Sequence, residues 1–192
     1  EFSRETGAFE VTEEHGGLSA LGVAAVERIN SLGALVDVSQ LSKAATLQVL
    51  ELSSSPIIAS HSNAKTVSDV TRNLSDEEID RIGENGGVIH VAAFKGYLIN
   101  ISEPDFVEEL IALRVAAGIS EEYNYPFELY WEIDDLAQRS VFTAAVSELL
   151  GPATTDHMIE HIDYIVGRIG IDHVGIGNDF NHGSGIDDYN DA

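Results

Sequence analysis

Cysteine is absent from the 192 residues, which excludes disulfides and thiolate metal sites. Lysine is nearly absent, occurring only as Lys43, Lys65 and Lys95. Basic residues number 10 against 33 acidic ones, for a formal net charge of −23. A field of that sign repels phosphate, so it argues against nucleic acid or an anionic membrane surface as a partner. Two readings of the acidity stay open: a solvated surface, or adaptation to high salt, where ions screen the repulsion. No apolar run approaches the roughly 20 residues of a membrane-spanning helix. The opening Glu1-Phe2-Ser3-Arg4 has no apolar core after it and does not read as a signal peptide. The expectation is a soluble chain of unassigned compartment. No Gly-rich phosphate loop of the G-x-G-x-x-G or G-x-x-x-x-G-K type occurs, so nucleotide binding has no support.

What is present is an ordinary globular composition, 44% hydrophobic with 17 glycines, on a length that suits one domain or a piece of a larger one. Residues 1–17 read as a loop. Apolar residues at 18, 21, 25, 26, 29 and 32 have a helical period, with Ser19 as N-cap and Gly33 at the stop. A short strand, Ala34 to Val38, and a helix from Ala44 to Leu52 follow. Pro56 then opens an apolar strand over 57–60 that ends at His61. Ser75 and Glu78 form a capping box for a helix ending at Gly86-Gly87. Val88 to Phe94 reads as a third strand, and 102–118, 134–150 and 153–169 as helices. His173 to Gly177 is the last strand. Between the later helices, residues 123–131 carry Tyr123, Tyr125, Phe127, Tyr130 and Trp131 around Pro126, which suits surface packing or a lid.

Helix and strand thus alternate four times, with few polar residues in the strands, as in a parallel sheet with covering helices. Four strand-helix units are half of an eight-stranded (β/α)8 TIM barrel; a doubly wound α/β sheet is the competing fold. In the barrel reading residues 1–192 form a single partial domain. Residues 18–97 and 151–186 are the barrel core, and 98–150 a helical and aromatic insertion. Each strand ends in a polar or aromatic cluster: Asp37, Ser39 and Gln40; His61; Phe94 and Tyr97; Asp179. Barrel strand ends converge on one mouth. An imidazole and a carboxylate there suit a divalent metal such as zinc and proton transfer. Arg72 could clamp a carboxylate in bidentate fashion.

The segments Gly16-Gly17-Leu18-Ser19, Asn30-Ser31-Leu32-Gly33, Asp37-Val38-Ser39, Pro56 to Ser62, Arg72-Asn73-Leu74 and Gly86-Gly87-Val88-Ile89 together resemble the membrane (renal) dipeptidase family of binuclear zinc peptidases. Asp172-His173-Val174-Gly175-Ile176-Gly177-Asn178-Asp179-Phe180 resembles that family's last strand. The resemblance runs from about residue 16 to 183 and implies a zinc-dependent dipeptidase of the amidohydrolase-like barrel type. It implies that His61 is a zinc ligand and that Arg72 binds the dipeptide's terminal carboxylate. It further implies that Phe94 and Tyr97 line the substrate, and that Asp179 holds the substrate amine and assists proton transfer.

The departures from the family pattern are specific. Gln40 stands where the family has a zinc-binding histidine, and an amide is a poor zinc ligand beside imidazole. The family's N-terminal half supplies a His-x-Asp pair, a metal-bridging glutamate and a further histidine, none of them in this chain. The last-strand loop reads Asp179-Phe180-Asn181-His182-Gly183, where the family usually has Asp-Phe-Asp-Gly. At most partial zinc occupancy is expected here, and a homo-oligomer or the missing N-terminal half as partner. Two other functions stay open: a non-catalytic half-barrel that binds a partner or small molecule, and a barrel enzyme acting on a cyclic amide. Of the remaining histidines, His157 and His161 have metal-like i, i+4 spacing but no H-E-x-x-H pattern. His90 reads as a core or interface residue, His173 as structural, and His182 as a possible substrate contact.

Overall fold

The computed structural model describes residues 15–100, 104–118, 133–179 and 185–189. The aromatic stretch 123–131 and the loop residues Phe180 to Gly183 lie outside them, as does the expected loop up to residue 14. Along the chain come helices α1 (Ala20–Ser31) and α2 (Lys43–Leu52), strand β1 (Ile58–Ala59), helix α3 (Asp76–Asn85), strand β2 (Val88–Ala92), helices α4 (Lys95–Leu98), α5 (Pro104–Ala116), α6 (Leu136–Leu150) and α7 (Thr155–Ile169), and strand β3 (Val174–Gly177). The sheet is parallel throughout, in the order β1-β2-β3. The fold class is therefore α/β, with helices covering a parallel sheet.

Local chemistry sets the helix ends. Ser19 and Ser42 accept backbone N–H bonds at the starts of α1 and α2. At α3 the Glu78 carboxylate accepts from the Ser75 N–H at 2.8 Å and from its hydroxyl at 2.7 Å. Gly86, at φ +79°, then takes the left-handed position that stops the helix. Asp188, 33 residues further on, caps α7 by accepting from the Thr155 N–H at 2.8 Å.

The apolar faces of α2, α3 and α7 meet one face of the sheet. Val49, Ile79, Ile82, Ile89, Val91 and Ile165 are all fully buried there. Each such side chain contributes about 1.5–3 kcal/mol when taken out of water. Helices α5 and α6 pack on each other around Ile133 and Phe142, and Val70 packs in with Leu110 of α5. Arg168 ties α7 to α3, reaching Asp80 with Nε at 3.0 Å and Nη2 at 2.6 Å.

Two details depart from the sequence reading. The expected strand at 34–38 is reduced to a single bridge, Asp37 to Ile58, flanked by Val38 N–H to Ile58 O at 2.9 Å and Ile58 N–H to Val36 O at 3.0 Å. Among the described residues the segment borders only β1, and the Asp37 carboxylate then draws the chain into a turn by accepting from the Ser39 N–H. The third strand stops at Ala92, and α4 follows Phe94 at once, burying Tyr97 and Leu98.

On the face away from the helices, β2 and β3 approach closely. A Cβ on Gly175 would lie 2.2 Å from Cδ2 of His90, and one on Gly177 would lie 2.3 Å from the Ser60 carbonyl oxygen. The chain leaving β1 therefore crosses toward β3, held by a Ser62 N–H to His90 O bond of 2.9 Å. The Val-Gly-Ile-Gly strand needs its glycines because backbone and ring occupy the space a side chain would fill.

Candidate active site

Because the three strands are parallel, their C-terminal ends share one rim. His61 stands two residues past β1, Phe94 two past β2 and Asp179 two past β3. Asp37 and Gln40 come to the same rim through the bridge to Ile58. Among the described residues, the non-glycine residues with positive φ are Gln40 (+69°) and Asp179 (+51°), both at this rim. Such conformations cost of order 1–3 kcal/mol and collect at functional sites.

A hydrogen-bonded chain runs through the rim. The Asp37 carboxylate accepts from the Ser39 and Ser60 N–H groups at 3.0 and 3.1 Å, and from the Ser60 hydroxyl at 2.5 Å. Burial raises the Asp37 pKa, but these bonds and the neighbouring His61 outweigh it and hold the carboxyl below its ordinary value. Ser60 Oγ lies 2.8 Å from His61 Nδ1. His61 Nε2 lies 2.8 Å from the Gln40 amide nitrogen. The His61 N–H donates to Ser39 Oγ at 2.9 Å, and Ser39 Oγ lies 3.0 Å from Ser62 Oγ. Sequence reasoning found His61 and Gln40 but missed Ser60, whose only signal was its place before the histidine.

The loop that carries Arg72 is pinned at several points. Ala64 and Leu74 form a parallel bridge. The Asn63 side chain imitates a strand, accepting from the Ala92 N–H at 2.8 Å and donating to the Ala92 carbonyl at 3.2 Å. The Asn73 amide donates to the Ser68 and Tyr97 carbonyls at 2.9 and 2.8 Å. Arg72, between these anchors, is half-buried. Tyr97 is only 7% exposed, and its ring meets that of Phe94 edge-on with centroids 4.7 Å apart.

Three further histidines, His157, His161 and His173, serve the fold. His157 caps α7, accepting from the Thr154 N–H at 3.1 Å. His161 turns inward, fully buried, and its Nδ1 accepts from the Ala64 N–H at 3.0 Å. Desolvation pushes its pKa down to about 4, partly offset by the Leu98 carbonyl, so the ring is neutral. The i, i+4 spacing of these two histidines therefore puts them to separate structural uses. His173 Nδ1 meets the Gly87 carbonyl at 2.8 Å.

Zinc, implied by the resemblance, needs about four N, O or S donors. Among the described residues no group of three His, Cys, Asp or Glu side chains converges. Among the described residues the rim offers one imidazole, and an amide meets its Nε2. The described residues of this chain do not by themselves fit a zinc ion.

The chain is 29% identical over 162 residues to the dipeptidase verJ of Clonostachys rogersoniana, covering 77% of this chain and 39% of that protein. Among solved structures, the probable dipeptidase PvdM from Pseudomonas aeruginosa superposes with a TM-score of 0.71 at 38% identity, over 95% of this chain and 48% of that one. A metallopeptidase from Rhodobacter sphaeroides, liganded with a phosphinate mimic of the dipeptide L-Ala-D-Ala, gives 0.61 at 25% identity, over 93% and 37%. The chain thus spans between about a third and a half of the length of these relatives. The profile of the membrane dipeptidase family, peptidase family M19, matches residues 2–192, and the chain belongs to that family.

Proposed function

We propose that this chain supplies the C-terminal half of a (β/α)8 dipeptidase barrel, whose complete site hydrolyses the peptide bond of a dipeptide. The observation that carries the reading is the shared rim: His61, Phe94 and Asp179 follow three parallel neighbouring strands in a chain matched throughout by the family. Zinc, two ions per complete site, is the cofactor of that reading, and its remaining ligands would come from outside the described residues. This chain's part is to hold the substrate. Arg72, on its pinned loop, binds the terminal carboxylate in bidentate fashion. Phe94, backed by Tyr97, lines the side-chain pocket. Asp179 accepts the substrate amine and carries a proton toward the leaving group. His61 is the metal-facing imidazole.

A second reading has its own support. The Gln40 amide on His61 leaves the rim hydrogen-bonded without a metal, as suits a non-catalytic half-barrel that binds a small molecule or a partner. Release of free alanine from L-Ala-D-Ala, with zinc added and the chain completed by the N-terminal half of a family member, separates the two. Turnover lost in Arg72→Ala and Asp179→Asn supports the dipeptidase. No turnover, with saturable dipeptide binding retained, supports the second reading.

A further inference from the structure

The rim contains a chain of contacts in which every proton can be assigned. The Asp37 carboxylate already accepts two backbone N–H groups, from Ser39 and Ser60, and its oxygens can only accept. It lies 2.5 Å from Ser60 Oγ, so the Ser60 hydroxyl proton must point at Asp37. Ser60 then has only lone pairs to offer on its other side, where His61 Nδ1 lies at 2.8 Å. That contact is a hydrogen bond only if Nδ1 carries the proton. A neutral ring protonated on Nδ1 has its lone pair on Nε2, and the Gln40 Nε2 amino group lies 2.8 Å away. An amino group can only donate, so this last contact closes the sequence without conflict.

We infer that Asp37 and Ser60 are positioning residues that fix the proton of His61 on Nδ1, and that a Gln40 N–H occupies the lone pair this leaves on Nε2. The direction is the one a metal site uses, where the ring N–H is tied back and the other nitrogen is aimed outward. In this chain the aimed nitrogen meets an amide donor. The Gln40 side chain, set by a left-handed backbone at φ +69°, closes the imidazole to any electron-pair acceptor until it rotates away. The weight of this for catalysis rests on the proposed dipeptidase site; the tautomer itself does not.

The test is nitrogen-15 NMR of the histidine rings of the whole chain, free of metal and substrate, at a pH where His61 is neutral. The expected signature is a protonated Nδ1 and an unprotonated Nε2 for His61. Ser60→Ala should lose it and populate the Nε2–H form, while Ser60→Thr, which keeps the hydroxyl, should restore it. Gln40→Ala should retain the Nδ1–H form and shift the Nε2 resonance. An unmodified chain with His61 protonated on Nε2 overturns the inference, and so does a Ser60→Ala signature identical to the unmodified one. The measurement on the unmodified chain needs no variant to fold. A failed dipeptide assay would count against the proposed function and leave this result standing.

Discussion

The Gln40 amide nitrogen and His61 Nε2 lie 2.8 Å apart, although the residues are 21 positions apart in the chain. The family resemblance implies two imidazoles around zinc at this point; here an amide meets a single one. The chain should therefore retain fewer than two tightly held zinc ions, as read by elemental analysis after dialysis against trace metal. Gln40→His supplies a second imidazole and should tighten zinc retention by at least about tenfold, equivalent to ~1.4 kcal/mol. Two zinc ions held tightly by the unmodified chain would sink this account of Gln40.

The close approach of β2 and β3 gives a stability prediction. Gly175→Ala places a Cβ 2.2 Å from the His90 ring, so ring or backbone must move. Overpacking of this kind costs about 1–3 kcal/mol, measured as a lower urea midpoint. Because the clash is with one side chain, His90→Ala should recover most of the loss, and the double mutant should fall well short of additive. Fully additive effects would place the strain in the backbone instead.

His161 predicts a pH dependence with a definite sign. Its folded-state value of about 4 lies below the ordinary 6.5, so the unfolded chain binds the proton more tightly. Stability then falls as pH drops from about 6.5 to about 4, by an amount on the order of 3 kcal/mol, and this contribution is flat below that. The carboxyl groups held low, Asp37 and Asp76 among them, give up their share mainly at more acid pH, which separates the two effects. His161→Leu should lower stability at neutral pH, since the Ala64 N–H loses its acceptor, and should flatten the curve between pH 6.5 and 4. An equally steep curve in the variant would move the effect to another group.

Features with local causes were legible in the sequence. The capping box of Ser75 and Glu78 is a three-residue signature, and α3 begins where it says. His61 at the end of an apolar run was readable because a buried parallel strand has few polar residues until its C-terminal end. The turn α4 was not, because four residues carry no periodicity. The role of His161 was hidden for a different reason: its partner Ala64 is 97 residues away, and helical spacing alone cannot tell an inward ring from a metal-facing one. The Asp37–Ser60 contact, across 23 residues, depended on the bridge between Asp37 and Ile58, which the sequence suggested only as a longer strand.

The last prediction concerns association. Leu35 is 60% exposed beside the bridge to β1, and Ile176, in register with the buried Val91, is 62% exposed on β3. Among the described residues β3 pairs with β2 alone, so its other edge presents unpaired backbone groups. Covering each of these side chains contributes up to roughly 1.5–3 kcal/mol per copy. Association itself costs about 4–15 kcal/mol, so edge pairing and apolar cover must act together to offset it. The net charge of −23 opposes contact between two copies at low salt. Screening shortens the reach of that repulsion from ~30 Å at 0.01 M salt to ~3 Å at 1 M. Sedimentation should therefore show self-association that strengthens as salt rises, and Ile176→Glu should weaken it at every salt concentration. A monomer at all salt and protein concentrations, with no binding of the apolar dye ANS, would show instead that these surfaces are covered within a single chain.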